Sequence, residues 1–426
     1  MSQSDTDLII AGGGLAGATL ALALARVLPA LRVTVVEAFP LAADALPESY
    51  QPSYDARSTA LSWGSRQIFG ELGLWQWLSE HVTPIEHIHV SDRGHFGATR
   101  LHASDHNQAA LGYVADNRWM GLCLMRALQD TNVQWLAPAE VQGMTPLTRG
   151  VRVAVKTGDR VRQLTAQCLV VADGGRSGLR ERLGFQARTH DYGQNALIAN
   201  VSTAEAHRFT AFERFTDSGP MALLPHGERS RAGNQSALVW TLSDDTLDDV
   251  LSLSDADRCR RLQDRFGWRL GRFTCIGQCH HYPLKLTTVD EPVRPGVVLV
   301  GNAAHALHPV AGQGFNLALR GLMTLVEQFR LATERAQSLG ELPVLRAYQA
   351  RHRQDWQQTV RFSDSLIRLF GTSPAPLALA RDAGLVGLDL LPAAKRWFGR
   401  KAMGVGGRRA VISRTAQTQG DSANHE

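Results

Sequence analysis

The sequence predicts an α/β protein with a mainly antiparallel β-sheet domain set into it and a helical C-terminal region. Three observations predict this. The apolar run Leu8-Ile9-Ile10 leads into glycines 12, 14 and 17, an Ala/Leu-rich helix to about Arg26, and a second apolar run, Val33-Thr34-Val35-Val36, ending on Glu37. From about residue 186 to 284 the pattern changes to alternating apolar and polar residues bounded by turns. Buried-strand runs stand on either side of that stretch, at Leu169-Val170-Val171-Ala172 and at Val297–Val300.

At 426 residues the chain is too long for one ordinary core. The expected organisation is a discontinuous nucleotide-binding domain over 1–185 and 285–345, a sheet domain over 186–284, a helical region over 346–412 and a disordered tail over 413–426. Along the first domain, helix is expected around Ser58–Phe69 and over 113–130, and a hairpin from Val151–Val155 with Leu164–Ala172. Gly314–Gln328, 343–370 and 375–400 are also expected to be helical.

With 44% hydrophobic and 20% charged residues, the composition is that of a soluble globular protein, and no run of 18 apolar residues suggests a membrane-spanning helix. The opening residues, MSQSDTD, are polar and acidic, so neither a secretory nor a transit segment is expected and a cytoplasmic setting follows. Five scattered cysteines, an odd number, argue against a disulfide framework. Cys275 and Cys279, followed by His280 and His281, fit no common zinc spacing and read as strand residues; no metal is expected. Between Arg381 and Arg414 lie eight basic residues and two acidic ones, with apolar neighbours such as Trp397-Phe398. This segment reads either as a solvated helix with a basic end or as a contact for an anionic membrane surface. Nucleic-acid binding has no motif behind it.

Three motifs carry chemistry. The first is Gly12-x-Gly14-x-x-Gly17 between strand and helix. Gly12 allows the tight turn, Gly14 lets the backbone approach a pyrophosphate, and Gly17 lets the helix pack close. Leu15 and Ala16 open that helix, whose N-terminus faces the phosphates. Glu37, twenty residues beyond Gly17, is placed to accept hydrogen bonds from ribose hydroxyls. The unit is a dinucleotide site, and by itself it does not separate FAD from NAD. The second motif, Ala172-Asp173-Gly174-Gly175-Arg176-Ser177-Gly178, puts an acid and small residues at a strand end. The third runs from Gly301-Asn302-Ala303-Ala304-His305 through His308-Pro309 to Gly312-Gln313-Gly314-Phe315-Asn316. Its small residues permit contact with a flat ring, and the N–H groups of the helix start face that ring's electron-rich edge.

Together these motifs resemble the class A flavin-dependent aromatic hydroxylases, of the para-hydroxybenzoate hydroxylase fold. Tyr54-Asp55-Ala56-Arg57-Ser58-Thr59-Ala60-Leu61 is similar to the Asp-x-Arg-x-x-Ala-Leu signature of the ubiquinone-biosynthesis hydroxylases. His89–Gly94, Phe212–Thr216, Phe266–Gly271, Tyr282-Pro283-Leu284 and Gly301–Ala304 are similar to the 2-polyprenyl-6-methoxyphenol hydroxylase branch, over essentially residues 6–400.

The resemblance implies bound FAD, NAD(P)H as a transient electron donor, and O2 used through a flavin C4a-hydroperoxide to hydroxylate a lipophilic polyprenyl phenol. It implies cofactor contacts at Gly12, Gly14, Leu15, Ala16, Gly17, Glu37, Arg57, Asp173, Asn302, Gly312, Gly314, Phe315 and Asn316. Arg57 and Pro309 then lie near the flavin's active edge, with His305, His308 or His226 as candidate bases. Asn302 replaces the family's Asp with an amide that still bonds a hydroxyl, a feature of the branch. Gly121 stands where many relatives carry an Arg or Gln that touches the FAD phosphates, with Asn117 or Arg118 as substitutes. A ubiquinone-biosynthesis complex and peripheral contact with the inner membrane are the implied partners. A sibling hydroxylase, a prenyl-chain reductase and a non-catalytic flavin-binding scaffold are the rivals. A flavin halogenase is excluded by its missing Trp-x-Trp-x-Ile-Pro motif, since Trp75-Gln76-Trp77-Leu78-Ser79 lacks the Ile-Pro.

Overall fold

The computed structural model describes residues 5–41, 57–94, 97–175, 178–227, 230–306, 312–371, 384, 387, 389–406 and 410. β1 (Leu8–Ala11), α1 (Leu15–Val27) and β2 (Val33–Val36) form the expected strand–helix–strand unit. β1 and β2 run parallel and all eight of their residues are buried, which is why they read as continuous apolar runs.

The segment expected to be helical from Ser58 opens instead as β3 (Ser58–Ser62), and helix α2 (Trp63–Glu71) starts only after Ser62, whose hydroxyl accepts from the Ser65 N–H. The short α3 (Trp75–Leu78) packs its tryptophans against the first core, with Trp75 edge-on to Tyr113. β4 (Val82–Ile85), β5 (His87–Asp92) and β6 (Ala98–His102) follow. The helix expected over 113–130 is divided in the same way. β7 (Gly112–Asp116) pairs with β3 and β4, and α4 (Asn117–Gln129) begins at Asp116, which accepts from the Arg118 and Trp119 N–H groups.

β8 (Gln134–Leu136) closes one edge of the first sheet. β9 (Glu140–Pro146), β10 (Val151–Thr157) and β11 (Arg160–Ala166) form a separate antiparallel meander. The expected hairpin therefore ends at Ala166. β12 (Cys168–Val171) belongs elsewhere: it lies parallel to β1 in the nucleotide-binding sheet, buried on both faces. α5 (Gly178–Arg182) follows it.

The second sheet is built from β13 (Ala187–Thr203), β14 (Thr210–Thr216), β15 (Gly219–His226) and β16 (Gln235–Ser243), then, after α6 (Asp244–Ser252) and α7 (Asp255–Phe266), from β17 (Phe273–Ile276) and β18 (His280–Val289). It extends past the expected 186–284 stretch. β5 joins β14 as a parallel neighbour and carries β6 with it, and β18 continues to Val289. Along its strands one face is fully buried: Leu197, Met221, Leu223, Leu238 and Trp240 pack against Leu262 and Phe266 of α7.

The chain then returns to the first sheet through β19 (Val293–Arg294) and β20 (Val297–Leu299), giving the order β19-β20-β12-β1-β2-β8. β21 (His305–Ala306) adds to the edge of the second sheet on β18. α8 (Gln313–Glu334) lies against α1, and α9 (Leu342–Gly371) packs along α8 and reaches β14 and β15. α8 and α9 approach closely at Gly321, where a Cβ would lie 2.7 Å from the His352 ring. Within the expected 375–400 helix the described part is mainly α10 (Pro392–Ala402), which presses Phe398 against Leu101 and Leu111. The tail over 413–426 lies outside the described residues, and no helix of the described residues is long and apolar enough to cross a membrane.

Candidate active site

Four loops meet at the C-terminal ends of β1, β12 and β20. Gly12, at φ +101°, sits so close to the second motif that a Cβ would lie 2.7 Å from the Ala172 carbonyl oxygen and 2.8 Å from Asp173 Cα. Gly175 faces Asn302 and Ala306, at 3.8 and 3.9 Å from its Cβ position. A Cβ at Gly301 would lie 3.6 Å from that of Ala16, and one at Gly312 would lie 3.1 Å from that of Ala60 in β3. The three glycine motifs and the segment following Arg57 are therefore one site.

The candidate phosphate end is α1. Gly14 is its N-cap and offers no side chain to the N–H groups of Leu15, Ala16 and Gly17, which have no partner within the helix. A Cβ at Gly14 would meet no protein atom within 4 Å, so its open side is free for a ligand. A Cβ at Gly17 would come within 1.9 Å of the Gly12 oxygen, so this glycine lets the turn lie against the helix. The open helix N-terminus and bare backbone fit a pyrophosphate. Glu37 accepts from the Gly13 N–H at 2.5 Å and the Phe39 N–H at 3.0 Å, so its carboxylate also holds the glycine turn in place.

Other expected contacts take different positions. The side chain of Asn316 is buried and fully used inside the protein. Its oxygen accepts from the Ser62 N–H and the Ser65 hydroxyl, at 2.8 and 2.6 Å, and its nitrogen donates to the Ala60 and Gly312 carbonyls, both at 2.8 Å. It fastens the Gly312 loop to β3, leaving no atom of the side chain for a ligand. Phe315 stacks on Phe69, with ring centroids 6.4 Å apart, and is a packing residue at the start of α8. Gly314 stands open in the first turn of α8, with nothing within 4 Å of its Cβ position. Asp173 is exposed at the mouth of the site, as is Asn302. Gly121 is also open, while Asn117 is tied to β3 by the Thr59 hydroxyl at 2.6 Å and Arg118 is exposed beside it.

Arg57 points across to the second sheet and donates to the Tyr282 hydroxyl at 2.8 Å. His305 lies stacked on Trp356, 4.9 Å between centroids, and near His352. Burial, with His352 beside it, pulls its imidazole down to about 3, so the ring stays neutral at working pH and is a weak base. His226 is buried and likewise lowered by burial. Asp55, His308 and Pro309 fall outside the described residues.

Three short motifs carrying the branch resemblance also converge. His89, Arg214 and Arg269 come together where β5, β14 and the segment after α7 meet, with Arg269 hydrogen-bonded to the His89 ring. This cluster is on the α7 side of the sheet, the side that carries Phe212 and Phe266, so it supports the sheet without entering the flavin site.

Residues 5–363 match the protein family described as FAD binding domain. The chain belongs to that family. The cofactor that its loops are built for is FAD. The ubiquinone hydroxylase UbiL of Rhodospirillum rubrum is 35% identical over 401 residues, covering 93% of this chain and 89% of that one. The 3-demethoxyubiquinol 3-hydroxylase of Escherichia coli is 27% identical over 95% of this chain and all of its own length. Human ubiquinone biosynthesis monooxygenase COQ6 is 26% identical, covering 90% of each chain. Among solved structures, p-nitrophenol 4-monooxygenase PnpA of Pseudomonas putida superposes with a TM-score of 0.76 at 17% identity, covering 95% of this chain and 99% of that one. That likeness establishes the shared fold. The relatives differ in the hydroxylation their names describe, and none singles out the 2-polyprenyl-6-methoxyphenol branch.

Proposed function

We propose that this flavoprotein is an aromatic hydroxylase of ubiquinone biosynthesis, using NAD(P)H and O2 on a polyprenylated phenol, with a methoxyphenol as the first substrate to test. The observation that carries the reading is the meeting of four small-residue loops over the open N-terminus of α1, directly beside a second sheet whose inner face is half-open. Bound FAD supplies the redox chemistry, taking electrons from NAD(P)H and delivering them to oxygen. The chain's own residues position the reactants. The Leu15, Ala16 and Gly17 N–H groups would hold the pyrophosphate, Glu37 keeps the glycine turn in place, and Asn316 holds Gly312 against Ala60, a surface of backbone and methyl groups that would receive a flat ring. Arg57, anchored by Tyr282, places a cation where this strand crosses the second sheet.

The test is a purified, FAD-loaded protein given a water-soluble short-prenyl 6-methoxyphenol, with NAD(P)H oxidation and product mass followed together. A gain of one oxygen per NAD(P)H is expected, and the product's NMR spectrum fixes the ring position. NAD(P)H oxidation that yields only peroxide, or bound FAD with no turnover on this and the sibling phenols of the pathway, sinks the hydroxylase reading and leaves a flavin-binding scaffold.

A substrate with a polyprenyl tail resides in a bilayer, and we place the membrane contact at α10. Leu390, Leu391 and Trp397 are 72, 60 and 57% exposed, and Arg396 and Arg400 are exposed beside them. Apolar side chains that enter the acyl boundary flanked by cations are the pattern of an interfacial helix on anionic lipid. Deleting the whole C-terminal segment is a poor test, because Phe398 and Met403 belong to a core cluster. Joint replacement of Leu390, Leu391 and Trp397 by Ser leaves that cluster intact, and it is expected to abolish binding to anionic vesicles. Unchanged vesicle binding removes the assignment.

A further inference from the structure

Glu213 is the one acidic side chain of the branch motif Phe212–Thr216, and nothing above gives it a role. It sits in the middle of β14, between Val90 of β5 and Ala222 of β15 in register. Paired residues share a face, so the row continues through Val239 of β16 and Ile198 of β13. This is the face opposite Phe212, Met221, Leu223 and Trp240, which pack toward α7. Met221, Leu223, Leu238 and Trp240 on the α7 side are closed off, whereas Glu213, Ala222, Val239 and Ile198 are each half-buried, as are Phe212 and Arg214 of β14 on the α7 side. This row of the sheet therefore presents apolar side chains and a single carboxyl group, partly open to solvent.

That row adjoins the flavin loops. Two residues before Glu213, on the same face, Ala211 packs with Val114 of β7 and Ala60 of β3, and Ala60 touches the Gly312 loop. Two strand residues span about 6.6 Å, so Glu213 lies one side-chain row from the ring-binding surface. At the other end β3 is fixed to the sheet by Arg57 and Tyr282, and α9 passes over β14 and β15. Glu213 makes no hydrogen bond or ion pair with any described residue. Among the described residues, the charged groups on the surrounding elements are paired, turned away or, for Asp92, one row along the same face. Arg214 and His89 face α7, Asp92 lies beside Phe215 in the next row, Asp116 caps α4, and Asp355 of α9 pairs with Arg320. On α9, Arg361 is exposed. Burial alone, with no charge acting on it, pushes the carboxyl up to about 7.

Building on the phenol-hydroxylase reading, we propose that Glu213 is the acid–base group of the ring pocket, accepting the hydroxyl proton of a phenol that lies against the Ala222–Val239–Ile198 wall. The phenol O–H bond breaks and an O–H bond forms on the carboxylate. The electron pair stays on the phenolic oxygen, which enriches the ring for attack by an electrophilic oxygen, and no electrons change hands in this step. The proton leaves to water as product departs, restoring the carboxylate.

The test compares wild type, Glu213→Gln and Glu213→Asp, all loaded with FAD and checked for equal flavin content and melting temperature. The probes are the short-prenyl 6-methoxyphenol and its methyl ether, which has no proton to give. In wild type the binding preference for the phenol over the ether is expected to grow several-fold between pH 6 and 8, and kcat to fall as pH drops through about 7. In Glu213→Gln both dependences vanish and kcat falls about 100-fold, the usual size of a general-base contribution. Glu213→Asp restores both pH dependences, which a purely structural role does not predict. An active wild type whose Glu213→Gln variant keeps its pH dependence and its kcat overturns this assignment alone. A wild type that binds neither probe and hydroxylates no phenol overturns the hydroxylase reading, and this assignment with it.

Discussion

The Arg57 guanidinium donates a 2.8 Å hydrogen bond to the Tyr282 hydroxyl, joining the strand that carries the flavin-loop contact Ala60 to the central sheet of the other domain, 225 residues away in sequence. The guanidinium carbon also stands 5.9 Å from the Tyr282 ring centre. The bond spans the two walls of the proposed ring pocket. Removing the hydroxyl in Tyr282→Phe leaves the ring in place and frees the cation. A hydrogen bond to a charged group contributes about 1.5–3 kcal/mol when shielded, and solvent at this exposed pair brings that down to about 1 kcal/mol. The expected outcome is a drop of roughly threefold to tenfold in kcat/KM with unchanged flavin content, read by steady-state kinetics and absorbance.

Gly14 and Gly17 separate binding from folding. Gly14→Ala adds a methyl group to open space, so the melting temperature of the FAD-free protein stays within a degree or two while FAD affinity falls at least tenfold. Gly17→Ala drives a methyl group into the Gly12 oxygen and displaces α1, so it lowers the FAD-free melting temperature as well. Flavin titrations and thermal melts of the two FAD-free variants distinguish them.

Asn316 offers a sharper contrast. Asn316→Ala removes four hydrogen bonds at a buried position and is expected to cost about 2–4 kcal/mol, counting roughly 1 kcal/mol for each. Asn316→Asp, nearly identical in shape, is expected to be at least as harmful, because it points an acid at the Ala60 and Gly312 carbonyls in place of a donor. Denaturant unfolding of both variants checks the order.

The acid side of the stability curve is set by histidines. Burial lowers His89, His207 and His352 to about 4 and His305 to about 3, all below the ordinary 6.5. Between those values the unfolded chain binds more protons than the folded one, so their contribution is present above pH 6.5 and is lost as pH falls toward 4. Glu213 acts in the opposite sense: its raised value makes stability fall as pH rises from 4.5 through about 7. Thermal melts are expected to peak near neutrality and to drop steeply by pH 5. Glu213→Gln should soften only the alkaline-side loss, and a flat profile contradicts both statements.

Local pattern made the β1–α1–β2 unit legible because each of its parts is self-sufficient: two fully apolar strands, three glycines and an acid at fixed intervals. β3 and β7 were not legible. Ser-Thr-Ala-Leu-Ser has neither strict alternation nor an apolar run, and what makes it a strand is pairing with β7, a long-range event. β12 was absorbed into the preceding hairpin because the sequence runs on with no turn signal after Ala166, although its partner is β1. Asn316 shows a different limit. A polar residue at a helix start beside a glycine loop reads as a ligand contact, and only the surrounding atoms reveal a clamp. Glu213 shows the converse. Alternation along β14 separates its two faces, but which face stays partly open depends on α7, β3 and α9, none of which is visible in a five-residue motif.

The strand order β20-β12-β1 has a consequence for the order in which the molecule is made. β1 and β12 both lie within the first 171 residues, but the next neighbour, β20, joins through Val170 opposite Val298. Six of the second sheet's strands, β13 to β18, are synthesised in between. During translation the edge of β12 therefore stays exposed while an entire domain is completed, and the Gly301 and Gly312 loops arrive last. On the proposed reading the phosphate end folds well before the Gly301 and Gly312 loops arrive, so firm FAD binding is expected only once α8 has emerged.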